Sequence, residues 1–132
     1  MERLVTRAII LDENKRVLVG KRAKDAGANQ WALVGGKPEE DETLIDAVGR
    51  EVEEELRVKF VNVQFYLERV DSDTDPISPW RVHFFTGKII GTINPKVDEI
   101  LEVMYISQED LDKFDIAFDH RERLKEFFKS VL

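Results

Sequence analysis

From Leu4 to Leu11 the chain is an apolar run rich in β-branched residues, the pattern of a strand. Asp12-Glu13-Asn14-Lys15 reads as a turn and Arg16 to Arg22 as a second strand, so a β-hairpin is the simplest expectation. Ala23 to Gln30 is a loop, followed by the short apolar run Trp31-Ala32-Leu33-Val34, which Gly35-Gly36 end. At Leu44 the apolar period lengthens to that of a helix, which runs to Leu56. Beyond it Phe60 to Val70, with Val61, Val63, Phe65 and Leu67 on one face, and Trp80 to Ile90 predict strands, separated by a polar loop from Asp71 to Pro79. Ser107 with Asp110, and Asp119 with Glu122, have capping-box spacing for a short and a longer terminal helix, the latter expected to bury Leu124, Phe127, Phe128 and Val131. Trp31 and Phe65 are expected in the core.

The Leu44 helix carries Arg50-Glu51-Val52-Glu53-Glu54-Glu55, four carboxylates in about one and a half turns. On a helical wheel with Leu44 at the origin, the stripe of Leu44, Ile45, Val48, Val52 and Leu56 covers roughly 0° to 120°, with Glu55 near 20° and Glu51 near 340°. Asp46, Arg50 and Glu53 lie at roughly 180° to 240°, where solvent is expected. Two glutamates thus border the buried stripe, and like charges spaced i, i+4 cost about 0.2–0.5 kcal/mol per pair. A divalent cation would offset that cost, and a plain acidic helix with surface pairs is the alternative. Without Cys and with 2 His in the chain, the donors are hard oxygens that suit Mg²⁺ or Mn²⁺ better than zinc.

Composition narrows the partners. The chain has 132 residues, 42% of them hydrophobic, and shows no internal repeat or linker, which predicts a single domain over residues 1–132. A net charge of −7 argues against a nucleic-acid polymer as partner, and no apolar run approaches the length of a membrane span or a secretory signal. A cytoplasmic protein is expected. The absence of Cys excludes disulfides and thiol chemistry.

Residues 36–58 resemble the box of the Nudix hydrolases, MutT-like proteins whose box runs Gly, five residues, Glu, seven residues, then Arg-Glu-apolar-any-Glu-Glu-any-Gly-apolar. Gly36, Glu42, Arg50, Glu51, Val52, Glu54, Glu55 and Val58 fit, and Arg57 replaces the last glycine. That glycine follows the helix, where a left-handed conformation is common, so Arg57 is expected to cost roughly 1 kcal/mol or to shift the cap by a residue. Val34 stands where many members have Pro, and Asp41 where Gly is common. The resemblance implies an α/β/α sandwich with a mixed β-sheet, an α+β fold, and hydrolysis of a nucleoside diphosphate linked to another group, with Mg²⁺ or Mn²⁺. It implies Glu54, Glu55 and the Gly35 carbonyl as metal ligands, Glu51 as ligand or general base, and Arg50 as the group that orients the carboxylates. Glu42 would favour the positive end of the helix.

Outside the box, the resemblance implies a carboxylate from a late loop or strand, Glu99 first and Glu102 second, either of which has a solvent-facing alternative. Arg22 matches a basic position that meets substrate phosphate in relatives, with a surface charge as alternative. Candidates for the nucleotide pocket are Phe84, Trp80, Phe118, Asp119 and His120, although Asp119 serves equally as a helix cap, His120 as a first-turn residue, Phe118 as core and Trp80 as a packed strand residue. Val82-His83-Phe84-Phe85 with Asn94-Pro95-Lys96 resembles members that clear nucleoside triphosphates, including oxidised ones, whereas Ala117-Phe118-Asp119-His120 resembles members that cut ADP-ribose. A nucleoside triphosphate is the first expectation and ADP-ribose pyrophosphatase the second. A nucleotide sensor without catalysis is the alternative of another class, and it predicts erosion of the carboxylates, which are intact. Relatives often pair as homodimers, but no stripe in this sequence marks an interface.

Overall fold

The computed structural model describes residues 3–71, 77 and 79–131. The polar loop expected between Asp71 and Pro79 falls mostly outside these residues. Strand β1 (Arg3–Ile10) is followed by β2 (Val17–Arg22), the two-residue strands β3 (Trp31–Ala32) and β4 (Gly35–Gly36), and helix α1 (Leu44–Leu56). Then come β5 (Lys59–Asp71), β6 (Trp80–Ile90), β7 (Ile100–Ile106), a 3₁₀ helix (Gln108–Lys113) and α2 (His120–Val131).

The expected hairpin does not form a shared ladder. β1 joins a four-stranded sheet of order β4-β1-β6-β5, parallel to β6 and antiparallel to β4, while β2 joins a three-stranded antiparallel sheet of order β3-β2-β7. Only the turn survives, with Asp12 N–H donating to the Arg16 carbonyl at 3.0 Å and a single bridge between Leu11 and Val17. The reason lies in the two-sided apolar pattern, because each strand must be covered on both faces and takes a central place. Val5 and Ile9 of β1 pack with Val17 and Val19 on one side, with Leu124, Phe127 and Phe128 of α2. Ala8, Ile10 and Leu18 pack on the other, with Val48, Val52 and Leu56 of α1. The result is the α/β/α sandwich with mixed pairing.

Three local expectations are corrected. Phe65 is 58% exposed, because β-bulges between Val61 and Leu67 break the simple alternation of β5. Val131, the last residue of α2, and Ile45, the second residue of α1, are exposed, each at an end of its helix where less of the protein covers it. β7 starts at Ile100, and residues 97–99 form a turn.

α1 is built by its ends. The Thr43 hydroxyl accepts from Asp46 N–H at 3.2 Å as N-cap. At the other end Arg57 takes the left-handed conformation, φ 57°, with its N–H on the Glu53 carbonyl, so the cap stays where the box places it. The next carbonyls are taken by a distant loop, since Lys96 N–H donates to Glu55 O at 2.8 Å and Asn94 N–H to Leu56 O at 2.9 Å. That strap brings Glu99 to the acidic side of α1.

Candidate active site

The acidic site starts from two glycines. Gly35 has φ 151°, and a Cβ there would meet the Thr6 carbonyl oxygen at 2.0 Å. A Cβ on Gly36 would stand 2.4 Å from Glu51 Cδ. The bare backbone therefore lets β4 and the Glu51 carboxylate share one place. Gly35 N–H donates to Glu55 Oε2 at 3.1 Å, tying the loop to the helix.

Arg50 organises the acids around it. Its Nε and Nη2 donate to the two oxygens of Glu42, at 2.8 and 3.0 Å, while Nη1 reaches Glu51 at 3.0 Å and Glu54 at 3.2 Å. Nη2 also donates to the Lys37 carbonyl at 3.1 Å. The fork on Glu42 holds that carboxyl down at about 2 and raises the Arg50 guanidinium. Glu55 has no such partner. Burial, assisted by Glu51 and Glu99 and opposed by Arg7, pushes its carboxyl up to about 8. Burial also raises Glu51.

Glu51, Glu55, Glu99, Gly35 and Gly36 line one cavity of about 350 Å³. Glu54 does not line it and is turned outward on Arg50, its side chain 54% exposed. Glu99 pairs with Lys96 at 3.3 Å, and Glu102 is exposed on β7. Among the described residues no three His, Cys, Asp or Glu side chains converge as a ready-made metal cage. The donor set nevertheless suits a hard cation such as Mg²⁺, which takes one or two carboxylates and completes its shell with water and phosphate. Half-buried, mutually repelling Glu51 and Glu55 would be stabilised by such a charge.

Across a shared wall of Val5, Arg7, Arg22, Asp25 and Lys37 lies a second cavity of about 470 Å³. Its lining carries four cations, Arg3, Arg7, Arg22 and Lys37, against one acid, Asp25, in a chain whose net charge is −7. Its two aromatic walls are Trp80, with Arg3 at 4.1 Å and Lys37 at 4.9 Å, and Phe118, with Arg22 at 5.1 Å and Arg7 at 5.4 Å. Phe118 holds φ 58°, an uncommon conformation for a bulky residue, just before α2. Arg22 is fixed by Nε on the Ala26 carbonyl at 2.7 Å.

His120 lines this cavity and is almost fully buried. Its Nδ1 accepts from Leu33 N–H at 3.1 Å, so the ring proton sits on Nε2. Burial, with Arg7 and Arg22 nearby, holds the imidazole well below the ordinary histidine range, and it is neutral at physiological pH. Phe84, expected in the pocket, is instead fully buried in the core behind His120, ring centroids 6.2 Å apart, and is not among the residues lining either of these two cavities. Asp119 is not among the lining residues and stands 3.6 Å from Arg123. Sequence reasoning missed Arg3, Arg7 and Lys37. For Arg7 the signal was present, a charge interrupting an apolar strand on the same face as Val5 and Ile9.

The family model for the NUDIX domain matches residues 1–127, and the chain belongs to the Nudix family. Solved structures agree with the fold. The NUDIX domain of Shewanella oneidensis NrtR, complexed with ADP ribose, is 18% identical with a TM-score of 0.85, covering 100% of this chain and 90% of that one. The MutT protein from Methanosarcina mazei Go1 is 22% identical with a TM-score of 0.84, over 98% and 94% of the two chains. The MutT NUDIX hydrolase from Burkholderia pseudomallei is 23% identical with a TM-score of 0.75, over 83% and 85%. Among the described residues no helix is long and apolar enough to cross a membrane.

Proposed function

We propose that this protein, as one domain, is a divalent-metal-dependent hydrolase that cuts a nucleoside diphosphate linked to another group within its phosphate chain, with a nucleoside triphosphate as substrate. The observation that carries this is the shared wall between a cavity holding the glutamates Glu51, Glu55 and Glu99 and a cationic one bearing two aromatic rings. One end suits a cation, the other a flat base, and the wall between them suits the oxygens of a polyphosphate.

Glu51, Glu55, Glu99 and the Gly35 carbonyl, with Glu54 once released from Arg50, would hold Mg²⁺ or Mn²⁺. The ion when bound supplies charge neutralisation and activates water. Arg50 sets the orientation of Glu51 and Glu54, and Glu42 sets that of Arg50. Arg22 and Lys37 draw phosphate oxygens to the wall, while Trp80, Phe118 and the Nε2 proton of His120 receive the nucleoside. Val82-His83-Phe84-Phe85 lends the triphosphate preference no direct contact beyond the Val82 wall, because the other three side chains are buried away from the cavity.

ADP-ribose is the second substrate, favoured by the ADP ribose bound to the NrtR domain and by Phe118 and His120 in the cavity. A Glu54→Gln or Glu55→Gln substitution is expected to lower turnover by orders of magnitude while leaving the fold intact. Unchanged turnover in a folded variant would refute the assignment.

A further inference from the structure

Among the described residues of the shared wall, Arg7 is half-buried yet leaves a buried side-chain donor without a hydrogen-bond partner. Its Nη1 donates to the Leu33 carbonyl at 3.1 Å, but Nε is buried and has no hydrogen-bond partner. A guanidinium has five N–H donors, and a buried one normally spends them on carbonyls or carboxylates. Here Arg22 faces Arg7, and burial together with that like charge brings the Arg7 guanidinium down to about 10. Glu55 and Glu51 are near enough to act on it through space, yet neither carboxylate is hydrogen-bonded to it. A residue placed only to neutralise Glu55 would close that bond. Instead the planar group lies over the Phe118 ring and lines both cavities at their junction.

We infer that Arg7, beside Arg22 and backed by Phe118, is a further phosphate-binding residue, the group that receives oxygens of the substrate's diphosphate at the junction of the two cavities. The assignment rests on the hydrolase reading for the identity of its ligand, a nucleoside carrying two or more phosphates. The geometry suits this class because the guanidinium plane offers its free Nε–H beside an adjoining Nη donor, a fork that matches two oxygens of one phosphate. Arg22, anchored through Nε on Ala26, supplies the second positive charge. His120 and Arg7 are held by the same residue, Leu33, one through its N–H and the other through its carbonyl, which fixes the phosphate donor relative to the nucleoside pocket.

The test is binding, not turnover. Calorimetry on the metal-free protein compares a nucleoside 5′-diphosphate with the parent nucleoside, in wild type and in Arg7→Gln and Arg7→Lys. Loss of about tenfold or more in diphosphate affinity for Arg7→Gln, a smaller loss for Arg7→Lys, and unchanged nucleoside affinity are expected. Equal losses for both ligands would make Arg7 merely structural and overturn the inference. So would a wild type that binds no nucleoside diphosphate at millimolar concentration. Should either variant fail to fold, the Arg7 Nε–H signal of the wild type, followed by ¹⁵N NMR during titration with the diphosphate, decides the matter: a saturable shift supports the site and an unmoved signal overturns it. A protein that binds through Arg7 but hydrolyses no nucleotide would sink the proposed function and leave this site standing.

Discussion

The Arg57 guanidinium donates from Nη1 to the carbonyl oxygens of Asn94, at 3.1 Å, and Pro95, at 3.4 Å. The residue that replaces the box glycine thus ties down the loop that carries Glu99. Its left-handed backbone costs about 1 kcal/mol relative to glycine, while the bonds from one exposed nitrogen to two carbonyls return at most about 0.5–1.5 kcal/mol each, net of their exchange with water. Arg57→Gly should therefore leave stability within about 1 kcal/mol of wild type. Arg57→Ala keeps the strain and loses the bonds, and should be about 1–2 kcal/mol less stable in chemical denaturation. An alanine variant as stable as wild type would remove the loop tether from the account.

Gly36 and Glu51 occupy one place, since a Cβ at position 36 would stand 2.6 Å from both Glu51 carboxylate oxygens. Gly36→Ala should expel that flexible side-chain end with the fold retained. Mg²⁺ affinity, measured by calorimetry, should fall by about 10–100-fold. Unaltered affinity would take Glu51 out of the metal site.

Arg50→Lys keeps the charge but has no fork to grip Glu42 while reaching Glu51 and Glu54. Turnover should drop by about 10–100-fold with little change in unfolding midpoint, as expected for a group that orients ligands. A variant at wild-type rate would show that the carboxylates orient themselves.

The pH dependence of the metal-free protein follows from Glu55, whose carboxyl rises from 4.5 to about 8 on folding. Across that window the folded protein keeps a proton that the unfolded chain has released. Stability should therefore be fully supported below about pH 4.5 and decline as pH rises toward 8, and Glu55→Gln should abolish that part of the slope. Mg²⁺, which needs the carboxylate, should bind more tightly as pH rises through the same range. Equal slopes in wild type and Glu55→Gln would refute the buried-acid assignment.

Much of this was legible in the chain because it depends on local pattern. The 3.6-residue period marked out α1, and the placing of Glu51 and Glu55 beside its apolar stripe foretold their partial burial. The pairing of β1 and β2 was not legible, since two-sided apolar strands advertise burial but not neighbours. Phe65 misled because bulges in β5 are invisible to simple alternation. Phe84 and Arg7 are adjacent in register on β6 and β1, yet one lies in the core and the other at the cavity wall. That difference depends on where α2 and Phe118 cover the sheet, which no local pattern encodes.

The most direct measurement is product analysis with Mg²⁺ and with EDTA, across nucleoside triphosphates, oxidised dGTP, ADP-ribose and diadenosine polyphosphates. Metal-dependent release of a nucleoside monophosphate plus pyrophosphate is the predicted result, and AMP plus ribose 5-phosphate would select the second substrate. No metal-dependent cleavage of any of them, by folded protein that still binds nucleotide, would contradict the hydrolase and leave a sensor in its place.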